Sequence, residues 1–187
     1  MNQERIQQVQ QARKHRFFKR VFVWVVVAAV VIGGAYVFLR YLSHRNETLP
    51  GVVYADQGQD HVTLEEPRGP YNSNPPTSGP HLAGPAPWGV YRDSLPDRQL
   101  IHNLEHGGVW ISYKPGISEE LIKKLEGFSK KYGSKVIVAP REQNDSDIAL
   151  AVWTRLEKFS VAEYSDARVD TFIRRLRNKT GPEPLAM

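Results

Sequence analysis

The sequence has no cysteine, and its two methionines are Met1 and Met187. This rules out thiolate chemistry and a sulfur-rich site for a soft ion such as Cu(I). It is also compatible with an oxidising, extracytoplasmic setting, because a domain large enough to bury a core needs no disulfides. The second shortage is of positive charge where a fold could use it. The net +5 suggests a nucleic-acid binder, but residues 1–45 hold eight Lys or Arg against a single acid, Glu4, a local +7 that leaves −2 for everything after. The folded part therefore lacks the basic face that phosphate binding requires, and nucleic acid is excluded as an expected partner. No internal repeat is visible.

Charge is missing most completely from Val21 to Leu39, VFVWVVVAAVVIGGAYVFL. As a helix this run would extend about 28 Å, close to the hydrocarbon thickness of a bilayer. In water its Val and Ile would favour strand, but in lipid a helix is the one single-segment structure that satisfies every backbone group internally. Six Lys or Arg precede the run and only Arg40 and Arg45 follow closely, so the positive-inside asymmetry predicts a cytoplasmic N-terminus and an outer C-terminal domain. The run is longer than a signal-peptide core and continues into RYLSHRNE without a small-residue cleavage pattern, which favours an uncleaved anchor. The expected plan is a basic cytoplasmic tail over 1–20, a transmembrane helix over 21–40, a juxtamembrane linker over 41–58 and an extracytoplasmic domain over 59–187. Gly33 and Gly34 do not form a G-x-x-x-G dimerisation motif.

Within that domain, HVTLEE from His61 alternates like a short strand. Eight of the thirteen prolines then fall between Pro67 and Pro96, a density that precludes helix and central strand and predicts a long wrapping loop. A helical turn through HNLEH, a strand VWISY, a helix from Ser118 as N-cap to Gly133 as stop, strands KVIVA and DIALAVWT, and a final helix DARVDTFIRRLRN complete the pattern. The order β-α-β-β-α predicts an α+β fold, a mostly antiparallel sheet with two helices on one face. In VWISY, Val109, Ile111 and Tyr113 face one side and Trp110 and Ser112 the other, so only one of the two aromatics need be buried.

Two stretches carry candidate chemistry. In HNLEHGG, one turn places His102 and His106 at i and i+4, with Glu105 on the same side. Two neutral imidazoles at that spacing can chelate a divalent cation, with the carboxylate as ligand or general base. The letters also match H-x-x-E-H of inverted zinc peptidases, with Glu183 a distant third ligand, although Gly107 and Gly108 end the turn where such an enzyme continues its helix. In YNSNPPTSGPH, Pro80 fixes φ immediately before His81, so the loop aims that imidazole with little freedom. The candidate metal ligands are therefore His81, His102, His106 and Glu105, with His61 in reserve and Glu105 the candidate catalytic base. Imidazole ligands suit zinc or copper. The same residues allow plainer readings: histidines that satisfy loop carbonyls, and a loop that merely covers a hydrophobic face.

PPTSGPH followed some twenty residues later by a histidine pair with LEHG resembles the bacterial family catalogued as domain of unknown function 3105. The resemblance extends over about residues 50–187. It rests on Pro76, Ser78, Gly79, Pro80 and His81, on His102, Leu104, Glu105, His106 and Gly107, and on the closing GPEPLA. It implies a short tail, one membrane span and a small extracytoplasmic domain, and implies no activity. Two functional readings stand beside each other: an anchored metal-binding domain, catalytic or not, and a non-catalytic module that holds an envelope protein or cell-wall polymer through Trp88, Tyr91, Trp110 and Tyr113.

Overall fold

A computed structural model describes residues 19–39, 49–66 and 70–186. The expectations for the basic tail over 1–18 and for the linker over 40–48 lie outside the described residues. The chain divides into two units, Met1–Thr48 and Leu49–Met187. In the first, α1 runs over Lys19–Leu39, 21 residues of mean hydropathy 2.6 with every side chain exposed. It is long and apolar enough to cross a membrane, and its length and composition also fit a signal sequence.

The second unit is an α+β domain. Its elements are β1 (Val52–Val53), β2 (Gly89–Val90), α2 (Asp97–Glu105), β3 (Val109–Tyr113), α3 (Glu119–Tyr132), β4 (Val136–Pro140), β5 (Ile148–Val152), β6 (Arg155–Phe159), a 3-10 turn over Val161–Glu163, and α4 (Asp166–Leu176). Six strands form one sheet in the order β1-β6-β5-β3-β4-β2. The pairings β1/β6, β6/β5 and β5/β3 are antiparallel, while β3/β4 and β4/β2 are parallel. The sheet is thus mixed: α3 is the crossover that returns the chain parallel to β3, as a strand-helix-strand order requires.

The two faces of the sheet bury different sets of residues. Val109, Ile111 and Tyr113 of β3, with Val136, Val138, Ile148 and Leu150, meet Leu121, Leu125 and Phe128 of α3 and Val169, Phe172, Ile173 and Leu176 of α4. Both helices begin as their sequences predict, with the Ser118 and Ser165 side chains accepting from the backbone N–H of Leu121 and Arg168. The opposite face, Trp110, Ile137, Ala139, Ala149 and Ala151, is covered by Leu100, Ile101 and Leu104 of α2 and by the proline-rich loop through Ala86, Trp88 and Tyr91. Trp110 and Tyr113 are therefore both buried, because neither face is left to solvent. This corrects the expectation that one of them could stay outside. Burial of every second residue on each face also explains why β3, β4 and β5 read as continuous apolar runs.

Two further sequence expectations change. HVTLEE is not a strand: His61 makes a single parallel bridge to His81, and the chain bends at Leu64–Glu66. Val52 and Val53, assigned to the linker, pair with Leu156 and Arg155 of β6.

Candidate metal centre

Helix α2 carries the distal half of the site and is buried almost all round, with Arg98 and every residue from Leu100 to Glu105 inside. A helix can be enclosed this way only if its polar side chains find partners. Asn103 accepts from the Ala86 N–H at 2.9 Å and donates to the Ala86 carbonyl at 2.8 Å, fastening the loop across the helix. Arg98 donates to the carbonyls of Thr63 at 2.6 Å and Glu66 at 2.7 Å, which ties down the segment just beyond His61. At the other end, Gly107 takes φ +75° and its N–H bonds Leu104 O at 2.9 Å. The closing segment then caps the helix: the Glu183 N–H bonds the Glu105 carbonyl at 3.1 Å. Gly181 lies so close to this end that a Cβ there would stand 2.4 Å from the Glu105 oxygen.

The loop brings its histidines to the same place by backbone pairing. The Val62 N–H bonds His81 O at 2.8 Å and the His81 N–H bonds Asp60 O at 2.9 Å, so His61 and His81 sit side by side. Their Nε2 atoms lie 3.5 Å and 2.9 Å from Glu105 Oε2, and His102 Nδ1 lies 3.7 Å from the same oxygen. One ligand atom from each of His61, His81, His102 and Glu105 falls within 4.8 Å of all the others. In tetrahedral zinc sites with bonds of about 2.0–2.1 Å, ligand atoms stand about 3.3 Å apart. The His61 and His81 spacings bracket that value and the four donor atoms lie within 4.8 Å of one another, so the group is close enough to hold a metal ion.

Protons on the ring nitrogens are placed by the carbonyls that flank them. His81 Nδ1 lies 2.8 Å from Gly79 O and His102 Nδ1 lies 2.8 Å from Leu82 O. A carbonyl only accepts, so each Nδ1 carries the hydrogen and each Nε2 keeps its lone pair, the arrangement that orients metal-ligating histidines. The His81 Nε2 lone pair then faces a carboxylate oxygen at 2.9 Å, two acceptors in contact, which is favourable only with a proton or another cation between them. Burial, and next the neighbouring His106, push the His102 imidazole below the usual histidine value, and a neutral ring is the form that ligates. His81, His102 and Glu105 are enclosed, while the His61 side chain is 48% exposed.

The structure thus brings together His81, His102 and Glu105 of the expected set and adds His61. It leaves His106 outside the group. Helix α2 ends at Glu105, and at the cap position the His106 side chain turns toward the closing segment. Its Nε2 lies 3.6 Å from Glu183 Oε2, and its ring centroid is 4.5 Å from that of His102. The peptidase pattern loses its basis here, since its two histidines do not converge with the carboxylate. Trp153, whose ring centroid is 6.1 Å from that of His81, walls the group on the sheet side and donates to Asp56 at 3.0 Å. No spacing motif connects Trp153 or Arg98 to the histidines, so sequence reasoning did not find them.

The family model described as "Protein of unknown function (DUF3105)" matches residues 61–187, so the match begins at His61 and takes in all four residues of the group. The chain belongs to this family. Neither the curated proteins nor the solved structures contain a match to it.

Proposed function

We propose that this chain is a membrane-anchored protein whose outer domain binds one divalent transition metal, zinc or copper, through His61, His81, His102 and Glu105. The observation that carries the reading is the convergence of one donor atom from each of these four residues to within 4.8 Å of the others, with three of the four residues buried. Backbone carbonyls hold Nδ1 of His81 and of His102, and the Nε2 of His81 is turned toward the Glu105 carboxylate. A buried carboxylate needs a positive partner, and three imidazoles with one carboxylate satisfy zinc or copper by ligand number and type. Glu105 serves here as a ligand, or as the anchor that draws the three rings together.

The direct test is metal content, by mass spectrometry, of the full chain in detergent after dialysis against limiting zinc and copper. About one equivalent per chain is expected, and His106→Ala should keep it, since His106 Nε2 faces Glu183. A wild-type chain that holds no metal sinks the reading. Loss of metal in His106→Ala would restore the ligand set expected from the H-x-x-E-H spacing.

Support for the anchor comes from α1 and the charge asymmetry around it. The absence of cysteine makes topology easy to measure. Lys123→Cys, on the exposed side of α3, should react with a membrane-impermeant maleimide on intact cells, and Gln8→Cys should react only after lysis. The reverse pattern would place the domain inside.

A further inference from the structure

The four residues of the group are not held alike. His81 and His102 are buried, and each has its Nδ1–H tied to a carbonyl, at 2.8 Å in both cases. His61 has neither restraint: its side chain is 48% exposed, and Glu105 is its one polar partner among the described residues. Its backbone, by contrast, is fixed on both sides. The bonds between Asp60, Val62 and His81 flank it directly, and Arg98 clasps the Thr63 and Glu66 carbonyls just beyond. Among the described residues the ring's polar and aromatic partners all belong to the group: it stacks on His102 at 5.1 Å and meets the His81 edge at 5.0 Å. With its backbone pinned, it can leave and rejoin the site by rotation of its side chain alone, a motion of picoseconds to nanoseconds for an exposed group.

From this asymmetry we infer that His61 is the exchangeable ligand, and that the site passes its metal to or from a second molecule through the position His61 occupies. The inference rests on the metal-binding reading and gives it a direction: a metal carrier rather than a structural metal site. In the exchange, the lone pair of an incoming nitrogen, oxygen or sulfur donor forms a bond to the ion. The bond to His61 Nε2 breaks, its electron pair returns to the imidazole, and the ring swings to solvent. His81, His102 and Glu105 hold the ion meanwhile from the closed side. The partner this geometry fits is a donor group that can approach an exposed histidine, an imidazole or thiolate on another protein of the same envelope face. A structural site would bury its fourth ligand and give it the same carbonyl support as the others.

The experiment uses the full chain in detergent, loaded with zinc, and follows transfer of the ion to the chromophoric chelator 4-(2-pyridylazo)resorcinol. In the wild-type chain the transfer rate should rise with chelator concentration, because the chelator enters at the His61 position before the ion leaves. His61→Ala should still hold near one equivalent of zinc, with affinity weakened by at least the roughly 10- to 100-fold that loss of a mere outer-shell partner costs, since here a ligand is lost, and should transfer it at least about tenfold faster. A rate that is independent of chelator concentration and unchanged in His61→Ala overturns the inference and leaves metal binding intact. So does loss of zinc from His61→Ala as complete as from His81→Ala. A wild-type chain that takes up no zinc overturns both the inference and the reading beneath it. His61 is half exposed and packs in neither core, so folding of this variant is not at issue.

Discussion

His81→Ala is expected to take the metal content of the chain from about one equivalent to none. The ring is fully buried, its Nδ1 hydrogen is committed to Gly79 O, and its Nε2 stands 2.9 Å from Glu105 Oε2, the shortest contact in the group. Removal takes away the best-oriented ligand and leaves two rings of which one, His61, is unrestrained. It also leaves the Glu105 carboxylate with one buried imidazole instead of two, which costs about 1–3 kcal/mol of the kind a lost hydrogen-bond partner costs. The larger core, between α3, α4 and the sheet, lies on the opposite face and does not depend on this ring. The domain should thus fold in chelator with a modest loss of stability. Zinc separates the two effects. A ligand that binds only the native state at about 1,000 times its Kd adds about 4 kcal/mol. Wild-type thermal unfolding should move up on addition of zinc and that of His81→Ala should not. Equal upward shifts in both would remove His81 from the site.

Much of the fold is legible in the sequence because each face of the sheet is a periodic pattern. Helices α3 and α4 announce themselves by serine caps, by acids in the first turn and by apolar residues at helical spacing. The β5/β6 hairpin does not. It turns on Trp153 and Thr154, with Thr154 at φ +58°, where a sequence signal would be Asn-Gly or Asp-Gly. The tertiary structure compensates locally: Trp153 is buried against the loop and its indole is bonded to Asp56, while the Thr154 N–H is taken by Thr77 O at 3.0 Å. DIALAVWT therefore reads as one strand ending in loop, and RLEKF, with buried residues only at Leu156 and Phe159, escapes notice.

The candidate site shows the same division. Spacing along one chain segment can place His102 and Glu105 on one helical side, and a proline can fix the aim of His81. Gly107 and Gly108 mark where the turn ends, but they do not tell whether His106 is still helical, and that decides between His106 and His61. The helix stops at Glu105, so His106 turns to Glu183. The vacated side is met by His61, 44 positions before Glu105 in the chain, through the short bridge that carries it, a pairing set by contacts between Asp60, Val62 and His81 that no periodicity records.

The helix that carries His102 and Glu105 depends in turn on a single cation at its other end, and Arg141→Ala should cost about 3–5 kcal/mol of stability, the range for breaking one partner out of a buried ion pair. Arg141 follows β4 and meets Asp97, the first residue of α2, in a two-pronged contact, Nε to Oδ1 at 2.8 Å and Nη2 to Oδ2 at 2.9 Å. The side chains are 7% and 15% exposed, so water screens the pair little. Its remaining nitrogen donates to the amide oxygens of Asn74 in the proline-rich loop and Asn144 after β4. One guanidinium thus joins the sheet, the start of α2 and the loop that aims His81. Alanine would strand the Asp97 carboxylate and the Asn74 amide oxygen together, while the Asn144 oxygen keeps the Ser112 hydroxyl as a donor. The helix N-terminus relieves part of the first, since an acid in the first turn is favoured by the helix dipole by about 0.3–1 kcal/mol. Denaturant unfolding of the metal-free chain should show the midpoint fall with the slope unchanged. Asp97→Ala and the double variant complete the cycle. If the two groups act as a pair, the double variant is destabilised by less than the sum of the singles, because neither charge is then left alone. A loss below about 1 kcal/mol for Arg141→Ala would mean that the pair behaves like an exposed one. The placement of α2, and of the two ligands it carries, would then rest on the apolar contacts of Leu100, Ile101 and Leu104 and on the bonds of Arg98 and Asn103 to the loop.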